Sequence, residues 1–550
     1  MTRPILVLGA TGLFGGHLAR RLIGAGHDVL LSSRSRSALR AFADAHGGTP
    51  LPFDRDDPAV AAAALATARP FAVIDAAGPF QAYGPDPCRF ARQVLEAGAH
   101  YLDLADAADF VAGIGALDTL ARARGLAAIS GASSTPALSA AAADALAADF
   151  DHVEAVEAAI LPGNWTDRGL SVIRAILAQV GQPYRQWRGG RWETVHGWDE
   201  TRRVSFRAGV HALTRPGALN QTPDVALFPA RYGARTVVFR AGLELPIMHY
   251  GLSLARWPVR LGLVRSLAPL ARPALRAASL LKGLGSDRGG MTVSVLGHGP
   301  QGWERRTWDI VAAGGIGPRI PAEPAALLVE KLLAGAVPPG ARPAAGALTL
   351  AEAEAGLHAL GVVTERRAAP ATPIFPRAVA GFAALPPAVR ALHDRPGVRR
   401  FAGRAEIDGP QGLLARALAR LAGFPPPGRD VPVTVEIDAD ETREVWTRTF
   451  GGHRFRSVLT LQGGTVQERF GPAAFALGLA VDGQALSYPV QGARLFGRVP
   501  LPAALVPVSN TAETEDAEGR FRFDVRIALR GGARIAHYRG WLVPVPDDQP

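Results

Sequence analysis

Pro4-Ile5-Leu6-Val7-Leu8-Gly9-Ala10-Thr11-Gly12-Leu13-Phe14-Gly15-Gly16 decides how the whole chain is read. A strand-length apolar run stops at a glycine, two more glycines follow at three-residue spacing, and a helical pattern, Leu18-Ala19-Arg20-Arg21-Leu22-Ile23, then begins. A parallel strand that turns into a helix beneath a dinucleotide has this form. Gly9 makes the tight turn, Gly12 lets the backbone approach a pyrophosphate, and Gly15 lets the helix close on the strand. The new helix aims unpaired N–H groups and its positive dipole end at the phosphates. Thr11, Leu13 and Phe14 therefore join the three glycines as expected cofactor contacts.

The second strand, Asp28-Val29-Leu30-Leu31-Ser32, runs into Ser33-Arg34-Ser35-Arg36. A site for NAD usually ends this strand in Asp or Glu, which accepts hydrogen bonds from the ribose 2′-OH. Here Ser33, Arg34 and Ser35 stand at the tip instead, with Arg36 beside them. Guanidinium binds phosphate through paired charge-assisted bonds, so NADP(H) is the expected cofactor. Asp54 closes a third strand, where such folds contact the adenine, and the fourth, Phe71 to Asp75, leads into Ala77, Gly78 and Pro79 at the expected ribose contact. A fifth unit carries Gly98-Ala99-His100-Tyr101-Leu102-Asp103, and Leu126 to Ser130 leads into Gly131-Ala132-Ser133-Ser134-Thr135-Pro136. Strands alternating with helices at this spacing predict a doubly wound parallel sheet.

Four blocks in order, "GATGLFG", "AGPFQAYG", "AGAHYLDLAD" and "SGASSTPALS", resemble the N-terminal domain of saccharopine-dehydrogenase-like oxidoreductases. The resemblance continues more weakly through "PGNWTDRGLSV" and "SDRGGMTVSVLG" to about residue 365. It implies an NADP-binding domain followed by an α/β substrate domain, and an NADPH-dependent oxidoreductase whose substrate the family name does not identify. It also implies that chain near the helix expected over 321–334 packs back on the dinucleotide domain.

The chain of 550 residues has a formal charge of +11, and only Lys282 and Lys331 are lysines. The arginines are spread rather than striped and no nucleic-acid motif appears, so no nucleic-acid partner is expected. The single cysteine, Cys88, excludes an intrachain disulfide and is expected to be buried. No paired-histidine or H-E-x-x-H spacing occurs, so no metal is expected. No secretion signal or long apolar run is read, and a bacterial, cytoplasmic enzyme is the expectation.

The expected organisation is an α/β Rossmann domain over 1–136, an α+β substrate or dimerisation domain over 137–365, a linker over 366–376, and a mostly antiparallel β domain over 377–550. Within the second, Trp187, Trp192 and Trp198 mark a hairpin whose rings serve either a substrate pocket or the core. Residues 243–285 interleave Arg256, Arg260, Arg265, Arg272, Arg276 and Lys282 with Leu, Val, Ile and Ala, and Pro258, Pro269 and Pro273 are expected to break the run into short helices. Such a segment fits peripheral contact with an anionic membrane, a homodimer contact, or a lid over the active site. The C-terminal stretch has strong period-two strands at Val431–Ile437 and Phe521–Leu529 and resembles a bacterial C-terminal domain of unknown function found fused to saccharopine-dehydrogenase-like domains. About seven to nine strands are expected, curved enough to enclose an apolar ligand or to serve as scaffold. Glu468, Arg469 and His453 read there as isolated polar residues.

The expected chemistry is hydride transfer between nicotinamide and a C=O, C=N or C=C group of a small or lipid-like substrate. Tyr101 is the candidate proton donor, with Asp103 orienting it or a bound amine. The chain has no Tyr-x-x-x-Lys pair, which argues against short-chain-reductase chemistry. The alternative is a scaffold that binds NADPH, or an apolar ligand, without turnover.

Overall fold

The computed structural model describes residues 3–549. Its first sheet contains β1 (Ile5–Leu8), β2 (Val29–Ser32), β3 (Thr49–Pro50), β4 (Ala72–Asp75), β5 (His100–Asp103) and β6 (Ala127–Ser130), all parallel, in the order β6-β5-β4-β1-β2-β3. The strand order reverses between β1 and β4, which opens a crevice beyond their carboxyl ends, where dinucleotides bind in such sheets. Helices α1 (Leu13–Gly24) and α2 (Arg36–His46) seat Leu18, Leu22 and Leu39 on one face. On the other face α3 (Pro58–Ala68) and α4 (Arg89–Glu96) seat Ala61, Leu65, Phe90 and Val94. The strands are apolar on both sides because both sides are covered.

A seventh strand, Gly340–Pro343, pairs in parallel with β6, and the helix Glu323–Leu333 lays Leu328, Val329 and Leu332 against the α1 side of the core. The unit expected to close at residue 136 therefore takes its last strand and a covering helix from inside the span 137–365. The open edge of β6 and the apolar face beside it need a partner, and a later part of the chain supplies both.

The second sheet has seven strands in the order 202–208, 211–219, 236–241, 152–161, 289–299, 302–312, 363–370. Gly289–Gly299 and Gly302–Ala312 pair as an antiparallel hairpin within it, and the expected tryptophan hairpin forms from Pro183–Trp187 and Trp192–His196. Trp187 and Trp198 are buried, their indole N–H groups donating to the carbonyls of Ala234 at 2.7 Å and His249 at 3.1 Å, so these rings belong to the core. The expected linker is corrected: residues up to Pro370 pair with Glu304–Val311 as an edge strand, and Ile374 and Phe375 are buried in the C-terminal core. In 243–285 the helix Pro246–Arg260 runs through Pro258, and a second helix spans Ala271–Leu280. Pro258 sits in the last turn, where one lost backbone bond does not end the helix.

The C-terminal unit is one antiparallel sheet of 13 strands, more than expected. Strands of two or three residues, such as Ala480–Asp482 and Val499–Pro500, are too short to show a period of two. The helix Pro387–His393 packs Val389 and Leu392 into its concave core beside Phe401 and Ile437. Arg235 joins this unit to the second sheet: it donates to both carboxylate oxygens of Asp547 at 2.6 Å, to Glu154 at 3.2 Å and to the carbonyl of Val398 at 3.0 Å.

Candidate active site

The β1–α1 turn is shaped as a cradle. Gly9 has φ of +72°, and a Cβ there would lie 2.8 Å from the carbonyl oxygen of Ala76. A Cβ on Gly15 would lie 2.3 Å from the carbonyl oxygen of Gly9, so any larger residue forces α1 off the strand. Gly12 is the N-cap of α1; no side chain caps the helix and its first turn holds no acid. The first-turn N–H groups and positive dipole end therefore face the crevice without a competing carboxylate. Thr11 and Gly12 are exposed at the crevice, and Leu13, Phe14, Ala77, Gly78 and Pro79 are half-buried around it. These residues fit a dinucleotide pyrophosphate. A Cβ on Gly78 would meet no protein atom closer than 3.5 Å, so no protein contact demands glycine there.

At the tip of β2, Ser33 donates to the carbonyl of Ser35 at 3.2 Å, and the Ser35 hydroxyl caps α2 by accepting from the Ala38 N–H at 3.3 Å. Arg34 and Arg36 are exposed, and among the described residues neither has an ion-pair partner. Asp54 is exposed and its carboxylate accepts from the Asp56 N–H at 3.0 Å. The next residue is already committed: Arg55 donates to Asp75 at 2.9 Å and stacks 3.7 Å from the centre of the Tyr83 ring. The Tyr83 hydroxyl donates to the same carboxylate at 2.9 Å, and the Ala77 N–H to its other oxygen at 3.0 Å. Burial raises the Asp75 pKa, and Arg55 partly opposes this. The cluster fixes the loop 76–83 over the end of β4. Its one legible signal is an acid closing an apolar strand, which once buried must find a partner.

Tyr101 and Asp103 do not reach the crevice. Tyr101 is 1% exposed and packs among Val73, Phe90 and Ala128, so it is a core residue rather than a proton donor. Asp103 is fully buried; one of its oxygens accepts from the Ser130 hydroxyl at 2.9 Å, the Gly131 N–H at 2.8 Å and the Ala105 N–H at 2.9 Å. It clamps the loops leaving β5 and β6, and burial pushes its pKa up to about 7. Strand alternation puts both residues on the face covered by α3 and α4.

The other wall comes from the second sheet. Gly169 lies within van der Waals reach of Leu13, with a Cβ there 3.7 Å from the Leu13 side chain, so the loop 162–169 arches to the dinucleotide turn. This loop and the segment 284–290, far apart in sequence, are locked together. A Cβ on Gly163 would lie 2.6 Å from the carbonyls of Ser286 and Arg288. Glu244 accepts from the N–H groups of Asn164 at 2.6 Å and Ser286 at 2.9 Å, and from Arg215 at 2.6 Å. Burial tends to raise the Glu244 pKa, but these bonds outweigh it and hold the group below its ordinary value. Asn164 donates to the carbonyls of Leu281 and Leu284 and accepts from Arg168 at 3.1 Å. Asn164, Arg168 and Glu244 were missed from sequence because each acquires its role only when these segments meet. Among the described residues no three His, Cys, Asp or Glu side chains are grouped to hold a metal ion.

Residues 5–110 match the NAD dependent epimerase/dehydratase family, and residues 385–542 match a domain of unknown function, DUF4166. The N-terminal unit thus has the fold of NAD(P)-dependent dehydrogenases and reductases and is built for a nicotinamide dinucleotide. Among solved structures the chain is similar to saccharopine dehydrogenase (L-Glu forming) from Saccharomyces cerevisiae, at 14% identity and a TM-score of 0.46, over 67% of this chain and 100% of that one. It is also similar to a short-chain dehydrogenase/reductase-family oxidoreductase from Burkholderia thailandensis, at 24% identity and a TM-score of 0.21, over 24% of this chain and 68% of that one. The yeast methylglyoxal/isovaleraldehyde reductase Gre2 overlaps 18% of this chain and 36% of its own at 14% identity and a TM-score of 0.16. At these scores the likenesses say nothing of this chain's substrate. Comparison with curated proteins gives no match.

Proposed function

We propose that the protein is an NADP(H)-dependent oxidoreductase acting on a small or lipid-like substrate. The observation that carries this is the pairing of a glycine cradle, open to a pyrophosphate, with two uncommitted guanidinium groups, Arg34 and Arg36, at the tip of β2. The bound cofactor would supply or accept hydride. The N–H groups of the β1–α1 turn would hold its pyrophosphate, Arg34 and Ser33 its 2′-phosphate, and Asp54 and the 77–79 loop its adenosine and ribose portions. The loop 162–169 would cover the crevice and exclude water. Calorimetry tests the cofactor: NADPH is expected to bind at least 10-fold tighter than NADH, and Arg34→Ala to remove most of that difference. Equal affinities would overturn the NADP assignment. Oxidation of bound NADPH in a carbonyl, imine and enoyl substrate screen separates the enzyme from a non-catalytic scaffold, which would bind NADPH and leave it unchanged.

A second element of the reading is contact with an anionic membrane through 243–285. Between Leu245 and Ser286 the chain has no acidic residue. Ile247, Leu254, Leu261, Leu263 and Leu280 are each at least 67% exposed. Arg256 and Arg260 are held by Asp199 at 2.7 and 3.1 Å, while Arg265, Arg272 and Arg276 are exposed. Apolar side chains beside free cations suit an anionic bilayer surface. Trp165 and Asn164, at the lip of the crevice, both bond the carbonyl of Leu284 at the end of this segment, which supports delivery of a lipid-like substrate. No helix among the described residues is long and apolar enough to cross a membrane. Flotation with phosphatidylserine vesicles at low salt tests the contact; failure to float, or equal flotation of a Leu254→Glu/Leu263→Glu double variant, removes it.

A further inference from the structure

We propose that the C-terminal sheet holds a binding site for an apolar molecule bearing a hydroxyl group. The sheet encloses a cavity of about 260 Å³ walled chiefly by aliphatic and aromatic side chains, among them Leu459, Leu477, Phe450, Phe470, Phe475 and Phe523. Protein interiors are close-packed. A dry apolar void of about 150 Å³ already takes benzene, so a larger one with apolar walls is a ligand site. The entrance is apolar as well. Leu421, on the helix Leu413–Ala422, and Leu505 both line the cavity and are 74% and 61% exposed.

The polar groups that line the cavity fix the chemistry of the ligand's head. Glu468, read from sequence as isolated, lines it with Arg448 and Glu513. The carboxylate of Glu513 accepts from His393 at 2.7 Å. Arg448 donates to the Ser457 hydroxyl at 2.8 Å and lies against the Trp446 ring. Its nearest approach to Glu468 is 3.6 Å, too long for a hydrogen bond. Among the described residues one oxygen of Glu468 is thus buried with no donor. A buried acceptor calls for one, and a ligand O–H supplies it. Two carboxylates against one guanidinium make the cavity unfavourable for a ligand that is itself a carboxylate.

The test uses the full chain and the neutral dye Nile red, displaced by decan-1-ol or by decanoic acid at pH 8. Wild type is expected to bind the dye and to release it at a decanol concentration at least 10-fold below that of decanoate. Absence of dye binding, or equal or stronger competition by the acid, overturns the proposal on wild type alone. Glu468→Gln, whose amide donates to a carboxylate, is expected to narrow the gap below 3-fold; an unchanged gap removes the role given to Glu468. Ala422→Trp at the entrance is expected to abolish dye binding while leaving the thermal unfolding transition unchanged. Full dye binding by that variant places the dye outside the cavity and refutes the site.

Discussion

The β1–α1 turn and the C-terminal sheet are both built around empty space, but by opposite means. The turn is made of backbone: Gly9 and Gly15 stand where a Cβ would strike the chain, and the N–H groups of a helix end face the crevice. The cavity is made of side chains: aliphatic and aromatic groups drawn from positions between Phe375 and Leu542 enclose it, and one unsatisfied carboxylate oxygen marks its polar side. A site that recognises charge through main-chain geometry must write its glycines within a few residues of each other. A site that recognises an apolar shape spreads its walls over the whole sheet, so substitution at one wall position is absorbed by the others.

The largest expected effect breaks the backbone site. Gly15→Val puts carbon atoms where Gly9 already stands, and calorimetry should detect no nicotinamide dinucleotide binding, with unfolding shifted to lower urea. Retained binding would mean that the cradle is not the phosphate site. Next, Arg235→Ala cuts the joint between the second sheet and the C-terminal unit and strips buried Glu154 of its guanidinium partner. A loss of about 3 kcal/mol in urea unfolding is expected, and an unchanged midpoint would show the two units to be stabilised independently of this joint.

Two titrations sharpen the contrast further. Asp103 has a folded pKa raised to about 7 by burial, so its contribution favours the native state below about pH 4 and is lost as pH rises through 7. Asp103→Asn keeps an oxygen for the three donors and cannot ionise; it should match wild type below about pH 4 and be more stable than it by about 4 kcal/mol at pH 8. A constant difference across that range would contradict the assignment. His249 is fully buried and its pKa is pushed down to about 4 by burial. The unfolded chain takes up a proton below about pH 6.5 and the native state resists until about pH 4, so stability falls across that window. About 1 kcal/mol should go between pH 7 and 5.5, and His249→Gln should flatten that slope. Hydrogen exchange in the helix Pro246–Arg260 should accelerate first, and an invariant rate would place the proton elsewhere.

The sequence by itself determined the dinucleotide turn, the parallel sheet behind it, the arginine-rich tip of β2 and the existence of a separate β-rich unit. Each is a local pattern of glycine spacing, apolar runs or strand alternation, and short-range sterics enforce it without help from distant chain. Only the tertiary structure decided that Tyr101 faces the core, that Arg55 belongs to Asp75 while Arg34 has no ion-pair partner among the described residues, and that Gly340–Pro343 completes the first sheet. It likewise joined Gly163 to Ser286 and gathered Arg448, Glu468 and Glu513 around one cavity. The physical reason is the same in each case: burial, pairing and charge commitment depend on which residues meet across long loops, and neither periodicity nor spacing along the chain encodes those meetings.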